Sequence, residues 1–258
     1  MHAMEGKVAV ITGASSANGI GQSIARRYAK AGASLYIMAD GPEEQLSKNV
    51  AECRQLSPLA SARFEYGIHD LSHMGAAEEM IAKAAALFGR IDVLVNNAGV
   101  RARLKFGEFT HDNFNKAVTV NLAAPFFASQ AVVPIMRRQG GGRIIHIASQ
   151  MGVVTHEKRA VYGMTKAALI HLAKAMAFEL APDHIIVNAI SPGPVLTDYI
   201  QQEYGKHANL SSDRNAYMRI NRLGRPDEIA EVAYFLAASA PELLIGQNLI
   251  VDGGYTIH

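Results

Sequence analysis

Short β-branched runs alternate with helical stretches from one end of the chain to the other. The strand-like runs fall at residues 7–11, 34–39, 62–66, 91–96, 143–148, 184–189 and 248–251. They are mostly apolar without polar–apolar alternation, the pattern of strands covered on both faces. Helical stretches lie between them, as at 21–31, 43–55, 74–88 and 226–238. The last opens on Arg225-Pro226-Asp227-Glu228, with proline and acids in a first turn. This alternation predicts an α/β chain: a parallel, doubly wound sheet of about seven strands with helices on both faces. Hydrophobic residues at 49% and charged residues at 19% allow a sizeable core. Residues 1–258 are therefore expected to form a single domain.

Two helical stretches, 117–136 and 161–180, are apolar on nearly every side. A helix lying on a sheet needs one apolar face; one that is apolar all round is buried all round. Their outer faces, with Ala173 on that of the second, are expected to meet another subunit. The alternative is an alanine-rich surface that is merely tolerated.

The formal net charge of +2 gives no reason to expect nucleic acid or an anionic membrane as partner. Cys53 is the single cysteine, so no intrachain disulfide can form. It sits on an expected surface helix where nothing activates it. No charged-then-apolar leader precedes Lys7, and no unbroken apolar stretch is long enough to span a bilayer. A soluble, cytoplasmic protein is the expectation. The ten histidines show no metal-ligand spacing such as H-E-x-x-H, so no metal is expected.

Chemistry enters with Tyr162 and Lys166, four apart in the second apolar helix. Positions i and i+4 share a helix face, so a phenol and an ammonium stand side by side. A nearby cation favours the phenolate, and a phenol so activated can trade a proton with an alcohol or ketone oxygen. The spacing alone fits an ordinary surface pair equally well. Near the N-terminus, Val8-Ala9-Val10-Ile11-Thr12-Gly13 is a strand running into a glycine turn, and Gly19-Ile20-Gly21 opens a helix. Glycines there let the backbone approach a pyrophosphate, whose charge suits a helix N-terminus. The second strand ends on Asp40. An acid at that tip either accepts hydrogen bonds from both ribose hydroxyls of an adenosine and repels a 2′-phosphate, or merely starts a loop. Gly41 follows, where an arginine would have welcomed that phosphate, so NAD(H) is expected over NADP(H).

Taken together, these residues and others resemble the short-chain dehydrogenase/reductase superfamily, from Lys7 to Gly254. The resemblance rests on Thr12-Gly13 with Gly19-Ile20-Gly21, Asn96-Asn97-Ala98-Gly99, Asn121, Ser149, and Tyr162 with Lys166. Pro192-Gly193, Gly246-Gln247 and Asp252-Gly253-Gly254 extend it. It implies a Rossmann-like fold, with Tyr162 as general acid/base and Lys166 acting on both Tyr162 and the nicotinamide ribose. Ser149 would hold the substrate oxygen, and Asn121 would anchor a proton-relaying water. For the cofactor it implies Gly13, Ser15, Asn18, Gly19 and Ile20 at the phosphates. Asp70 and Leu71 would contact the adenine, and Asn97, Ala98 and Gly99 would line the floor. Pro192, Gly193, Val195 and Thr197 would wrap the carboxamide. It also implies a homotetramer.

One departure stands out: five residues, 14–18, separate Gly13 from Gly19, where the family's turn has three. Substrate specificity is expected from a lid at about 196–222 and from Arg101, Gln150, Met151, His156 and Tyr199. Arg101, Arg103 and Lys105, with His156, Lys158 and Arg159, form either a solvated rim, the simpler reading, or a site for a substrate anion. The expected substrate is a small alcohol or ketone: a sugar, polyol or hydroxy acid. A 3-oxoacyl-thioester reductase is the alternative within the class. A dinucleotide-binding protein without turnover is the alternative outside it.

Overall fold

The computed structural model describes residues 2–204 and 218–257. Seven strands form one sheet in the order β3-β2-β1-β4-β5-β6-β7, every neighbouring pair parallel. They are β1 Val8–Thr12, β2 Ser34–Ala39, β3 Phe64–Ile68, β4 Val93–Asn96, β5 Gly142–Ile147, β6 Ile185–Pro192 and β7 Asn248–Val251. The helices are α1 Ile20–Lys30, α2 Glu43–Leu56, α3 Ala76–Phe88, α4 His111–Val118, α5 Ala124–Arg138, α6 Ala160–Leu180, α7 Asp198–Tyr204 and α8 Pro226–Tyr234. Strand order runs outward from β1 in one direction and from β4 in the other. The crevice at the carboxyl ends of β1 and β4 is the place where such sheets take ligands.

The five inner strands are largely buried on both sides, with successive residues feeding opposite layers, whereas the edge strands β3 and β7 are partly exposed. Ala9 and Ile11 join a cluster with Ile24, Tyr28 and Leu46; Val10 joins another with Met80, Val132 and Leu169. This two-sided burial explains why the strands read as continuous apolar runs. Most boundaries lie within two residues of the sequence expectation; β6 continues three residues further, to Pro192.

The apolar helices are not buried all round within this chain. On α6 a single stripe faces the core: Val161, Thr165, Lys166, Leu169, Ala173, Ala177 and Leu180. Met164 is 46% exposed and Phe178 88%. Ala173, expected on the outer face, is 1% exposed and packs inward; alanine alone does not announce which face it occupies. Cys53, expected on a surface helix, is likewise buried, in a stripe of α2 with Leu46 and Val50. Burial pushes its thiol up to about 12.

Residues 111–138 form one continuous helical run, long and apolar enough to cross a membrane by length and composition. The expectation that no stretch reaches that length therefore fails. The run's apolarity serves the core: Ala124, Ala128, Val132 and Met136 pack against the sheet. Between α4 and α5 its turn widens to π geometry at Thr119–Ala123 and carries Asn121. Such bulges often mark functional positions. Of the expected lid, 205–217 lies outside the described residues; 196–204 includes α7, and in 218–222 the Arg219 and Ile220 N–H groups donate to the Gly253 carbonyl.

Candidate active site

Tyr162 and Lys166 stand one turn apart on α6, with the Lys166 Nζ 5.8 Å from the Tyr162 ring centroid. Lys166 is 3% exposed, and its Nζ donates to the Ile147 carbonyl at 2.8 Å. Burial pushes the pKa of this ammonium below its ordinary value, while Tyr162 opposes that shift. Ser149 lies just past the end of β5, in extended conformation. Its Oγ accepts from the Met151 N–H at 3.1 Å, which fixes the hydroxyl and leaves its proton free to donate. Ser149, Tyr162 and Lys166 line one cleft.

Asn121 braces this group from behind. Its Oδ1 accepts from Val100 N–H at 2.7 Å, and its Nδ2 donates to Val100 O at 3.0 Å and Thr165 Oγ1 at 3.1 Å. Thr165 Oγ1 in turn donates to the Tyr162 carbonyl at 2.8 Å. The loop after β4 is thereby tied to the helix that carries the phenol and the ammonium.

A second groove continues from the first along the carboxyl ends of β1, β2 and β4. Gly13, Ser15, Gly19 and Ile20 line it, with Asp40 at the tip of β2 and Asp70 and Leu71 after β3. Asn97, Ala98 and Gly99 form its floor. Two loops are locked together here. Thr12 Oγ1 accepts from the N–H groups of Asn97 and Ala98, both at 2.9 Å. Asn97 Nδ2 returns bonds to Thr12 O at 2.8 Å and Gly13 O at 3.0 Å. Gly13 has φ +69°, and a Cβ on it would come 2.7 Å from the Ala98 Cα; a side chain is excluded on both counts. The N-terminus of α1 opens onto this groove with no acid in its first turn. Bare backbone, an uncapped helix start and a carboxylate at the β2 tip suit a pyrophosphate and a ribose. A dinucleotide fits the residues present.

Most of the expected site residues are brought together. Pro192, Gly193, Val195 and Thr197 line the catalytic cleft, as do Gln150, Met151 and His156; Arg101 reaches both clefts. Two depart. Asn18 lines neither cleft and bonds instead to Asp198, at the start of α7. Tyr199 lies on the groove side beneath the Arg101 guanidinium, 4.4 Å from its ring centroid, and does not line the catalytic cleft.

Three residues here carry structure that sequence reading missed. Asp198 clasps the glycine turn, and Thr12 Oγ1 locks the β1 and β4 loops. His146, on β5, is fully buried with Nδ1 3.2 Å from the Asn96 amide. Burial, then the Lys166 charge, lowers its pKa to about 3, so it stays neutral beneath the site. A lone histidine in an apolar strand carries no motif, and Asp198 meets partners about 180 positions away.

Comparison with known proteins agrees with this geometry. A family model described as Enoyl-(Acyl carrier protein) reductase matches residues 13–256. The NAD-dependent glycerol dehydrogenase of Listeria innocua serovar 6a is 35% identical, over 97% of this chain and 94% of that protein. A short-chain dehydrogenase/reductase from Serratia marcescens superposes with a TM-score of 0.89 at 33% identity, covering 99% of this chain and 100% of that one. A putative NAD(P) dependent gluconate 5-dehydrogenase from Beutenbergia cavernae, with bound NADP at low occupancy, gives 0.90 at 31% identity and full coverage of both chains. The chain belongs to the short-chain dehydrogenase/reductase superfamily.

Proposed function

We infer that this oxidoreductase interconverts a small secondary alcohol and its ketone, with NAD(H) preferred over NADP(H). The observation that carries the reading is the cleft formed by Ser149, Tyr162 and Lys166 at the end of a dinucleotide-shaped groove. In the oxidative direction Ser149 Oγ–H holds the reacting oxygen, and Tyr162 Oη takes its proton. Lys166 keeps positive charge beside the phenol and binds the nicotinamide ribose. A bound nicotinamide dinucleotide supplies the hydride acceptor. Asn121 already makes three side-chain bonds to protein, which tie the loop after β4 to α6.

Asp40 supports the cofactor preference: it is exposed at the β2 tip within the groove, and Gly41 brings no cation. The Listeria relative's name points the same way; the NADP in the Beutenbergia structure points the other. The glycerol and gluconate relatives support a polyol, sugar or hydroxy acid as substrate. A relative from Thermotoga maritima, a 3-oxoacyl-(acyl-carrier-protein) reductase 32% identical to this chain, favours one second reading, a reductase of 3-oxoacyl thioesters. The exposed Phe126, Met164 and Phe178 on the outer faces of α5 and α6 support a homotetramer assembled through those helices.

Steady-state rates over a panel of polyols, sugars, hydroxy acids and 3-oxoacyl thioesters, each with both cofactors, test the reading. The expected result is turnover of an alcohol with NAD at a kcat/KM roughly tenfold above NADP, or about 1.4 kcal/mol. Asp40→Ala combined with Gly41→Arg should narrow or reverse that ratio. A native preference for NADP would show that Asp40 does not read the ribose.

A further inference from the structure

Asn49 interrupts the buried stripe of α2, between Leu46 and Val50, and is 2% exposed. A buried amide in an apolar stripe is costly unless its hydrogen bonds are met. Here the glycine turn meets them. Asn49 Nδ2 donates to the Ala14 carbonyl at 2.7 Å and to the Ser15 carbonyl at 3.0 Å. Gln45 Nε2 donates to Asn49 Oδ1 at 2.8 Å. That bond fixes which way the amide points, since a flipped Asn49 would set its oxygen against two carbonyl oxygens.

These bonds decide where the turn's N–H groups go. Across a planar trans peptide the carbonyl of one residue and the N–H of the next point in opposite directions, and no described peptide bond is cis. With the Ala14 and Ser15 carbonyls held toward α2, the N–H groups of Ser15 and Ser16 point away from it. Neither N–H makes a hydrogen bond within the chain among the described residues. Ser15 and Ser16 line the groove along β1, β2 and β4, and Asn49 does not. Two successive open N–H groups just before a helix N-terminus suit phosphate oxygens. Residues 14–18 hold no Lys or Arg that could bind a phosphate by charge. A turn lengthened to five residues has added freedom. Asn49 restrains it at Ala14 and Ser15, which Asp198 does not reach.

We propose that Asn49 is a positioning residue for the cofactor: from behind the turn it aims the Ser15 and Ser16 N–H groups at the pyrophosphate of the dinucleotide. The inference rests on the reading of the groove as a dinucleotide site. It deepens that reading by naming the side chain that sets the phosphate contact of the lengthened turn. Asn49 itself touches no cofactor atom.

Amide hydrogen exchange on the native protein, alone and with saturating ADP-ribose or adenosine, tests the aim. ADP-ribose should slow exchange at Ser15 and Ser16 by roughly tenfold or more, and adenosine, which lacks the phosphates, should not. Asn49→Leu keeps the branched shape and removes the donor. It should weaken NADH binding by roughly tenfold in fluorescence titration and abolish the ADP-ribose protection. Val50→Ala, next in the same stripe, loosens α2 without touching the turn. It should lower the melting temperature and leave NADH affinity within about twofold. Exchange at Ser15 and Ser16 that ADP-ribose does not slow, or that adenosine slows as much, overturns the proposal even if Asn49→Leu does not fold. So does an Asn49→Leu protein with native NADH affinity. A Val50→Ala protein that loses as much affinity overturns it too, because Asn49 would then be a packing residue only. Failure of the native protein to bind NADH or NADPH overturns the dinucleotide reading, and the proposal with it.

Discussion

Asn18 and Asp198 are joined by two hydrogen bonds, from Asn18 N–H to Oδ2 at 2.9 Å and from Asn18 Nδ2 to Oδ1 at 2.7 Å. Ser16 Oγ adds a third, to Oδ2 at 2.8 Å. All three donors come from the glycine turn that is two residues longer than the family's. The lengthened turn thus reaches out and holds the first residue of α7, directly after Thr197 in the catalytic cleft.

This clasp predicts a measurable link between the turn and the cofactor groove. Asp198→Ala should weaken NADH binding several-fold and cost about 1 kcal/mol of stability at neutral pH, the scale of partly exposed charged hydrogen bonds. Unchanged NADH affinity would show that the clasp braces the loop without shaping the groove. The pH dependence has a definite sign. Burial would raise the Asp198 carboxyl, but hydrogen bonds from Asn18 and Ser16 outweigh it and hold the pKa below the ordinary value. Its contribution is therefore complete above the ordinary carboxylate range and is lost as pH falls through the lowered folded-state value. The melting-temperature gap between native and Asp198→Ala proteins should shrink over that acid interval. A gap independent of pH would mean that the carboxylate charge contributes nothing.

Tyr162→Phe should leave NADH binding near normal and reduce kcat by roughly 10²–10⁴-fold, the usual scale for loss of a general acid/base. Phenylalanine preserves the ring and removes only the hydroxyl. Residual activity within a factor of a few of native would end the assignment of Tyr162. Lys166→Ala should lower the rate and also weaken NADH binding, because one ammonium serves both tasks. The two variants separate the roles by a titration that the phenol does not affect.

The fold was readable because the inner strands of a parallel sheet are buried on both faces, so their signature is local and continuous. Val8–Thr12 and Ile185–Pro192 show it without interruption. The candidate pair was readable for a similar reason, since Tyr162 and Lys166 are neighbours along one helix. What stayed hidden depends on contacts between distant segments or on residues too small to mark a face. Ala173 and Cys53 turned inward. The bond between Asn18 and Asp198 joins residues 180 apart and had no signal in the sequence. Gln150 was expected at the substrate pocket; that its oxygen lacks a partner is a property of the packed site.

The outer faces of α5 and α6 give the last prediction. Phe178 is 88% exposed, Met164 46% and Phe126 42%. Large apolar groups exposed on two helices offer a candidate interaction surface. Burying them would contribute roughly 25 cal/mol per Å² of apolar surface. Since Ala173 faces the core, a charge there would test packing and not assembly. Phe178→Glu is the informative change: it sits on the outer face of α6, four turns from Tyr162, and needs no rearrangement of the core. It should dissociate the oligomer in sedimentation velocity and lower activity together, because the proposed interface and the proposed catalytic pair share α6. A native protein that sediments as a fully active monomer would establish that these faces are tolerated surface, and that α6 holds its catalytic geometry without a partner.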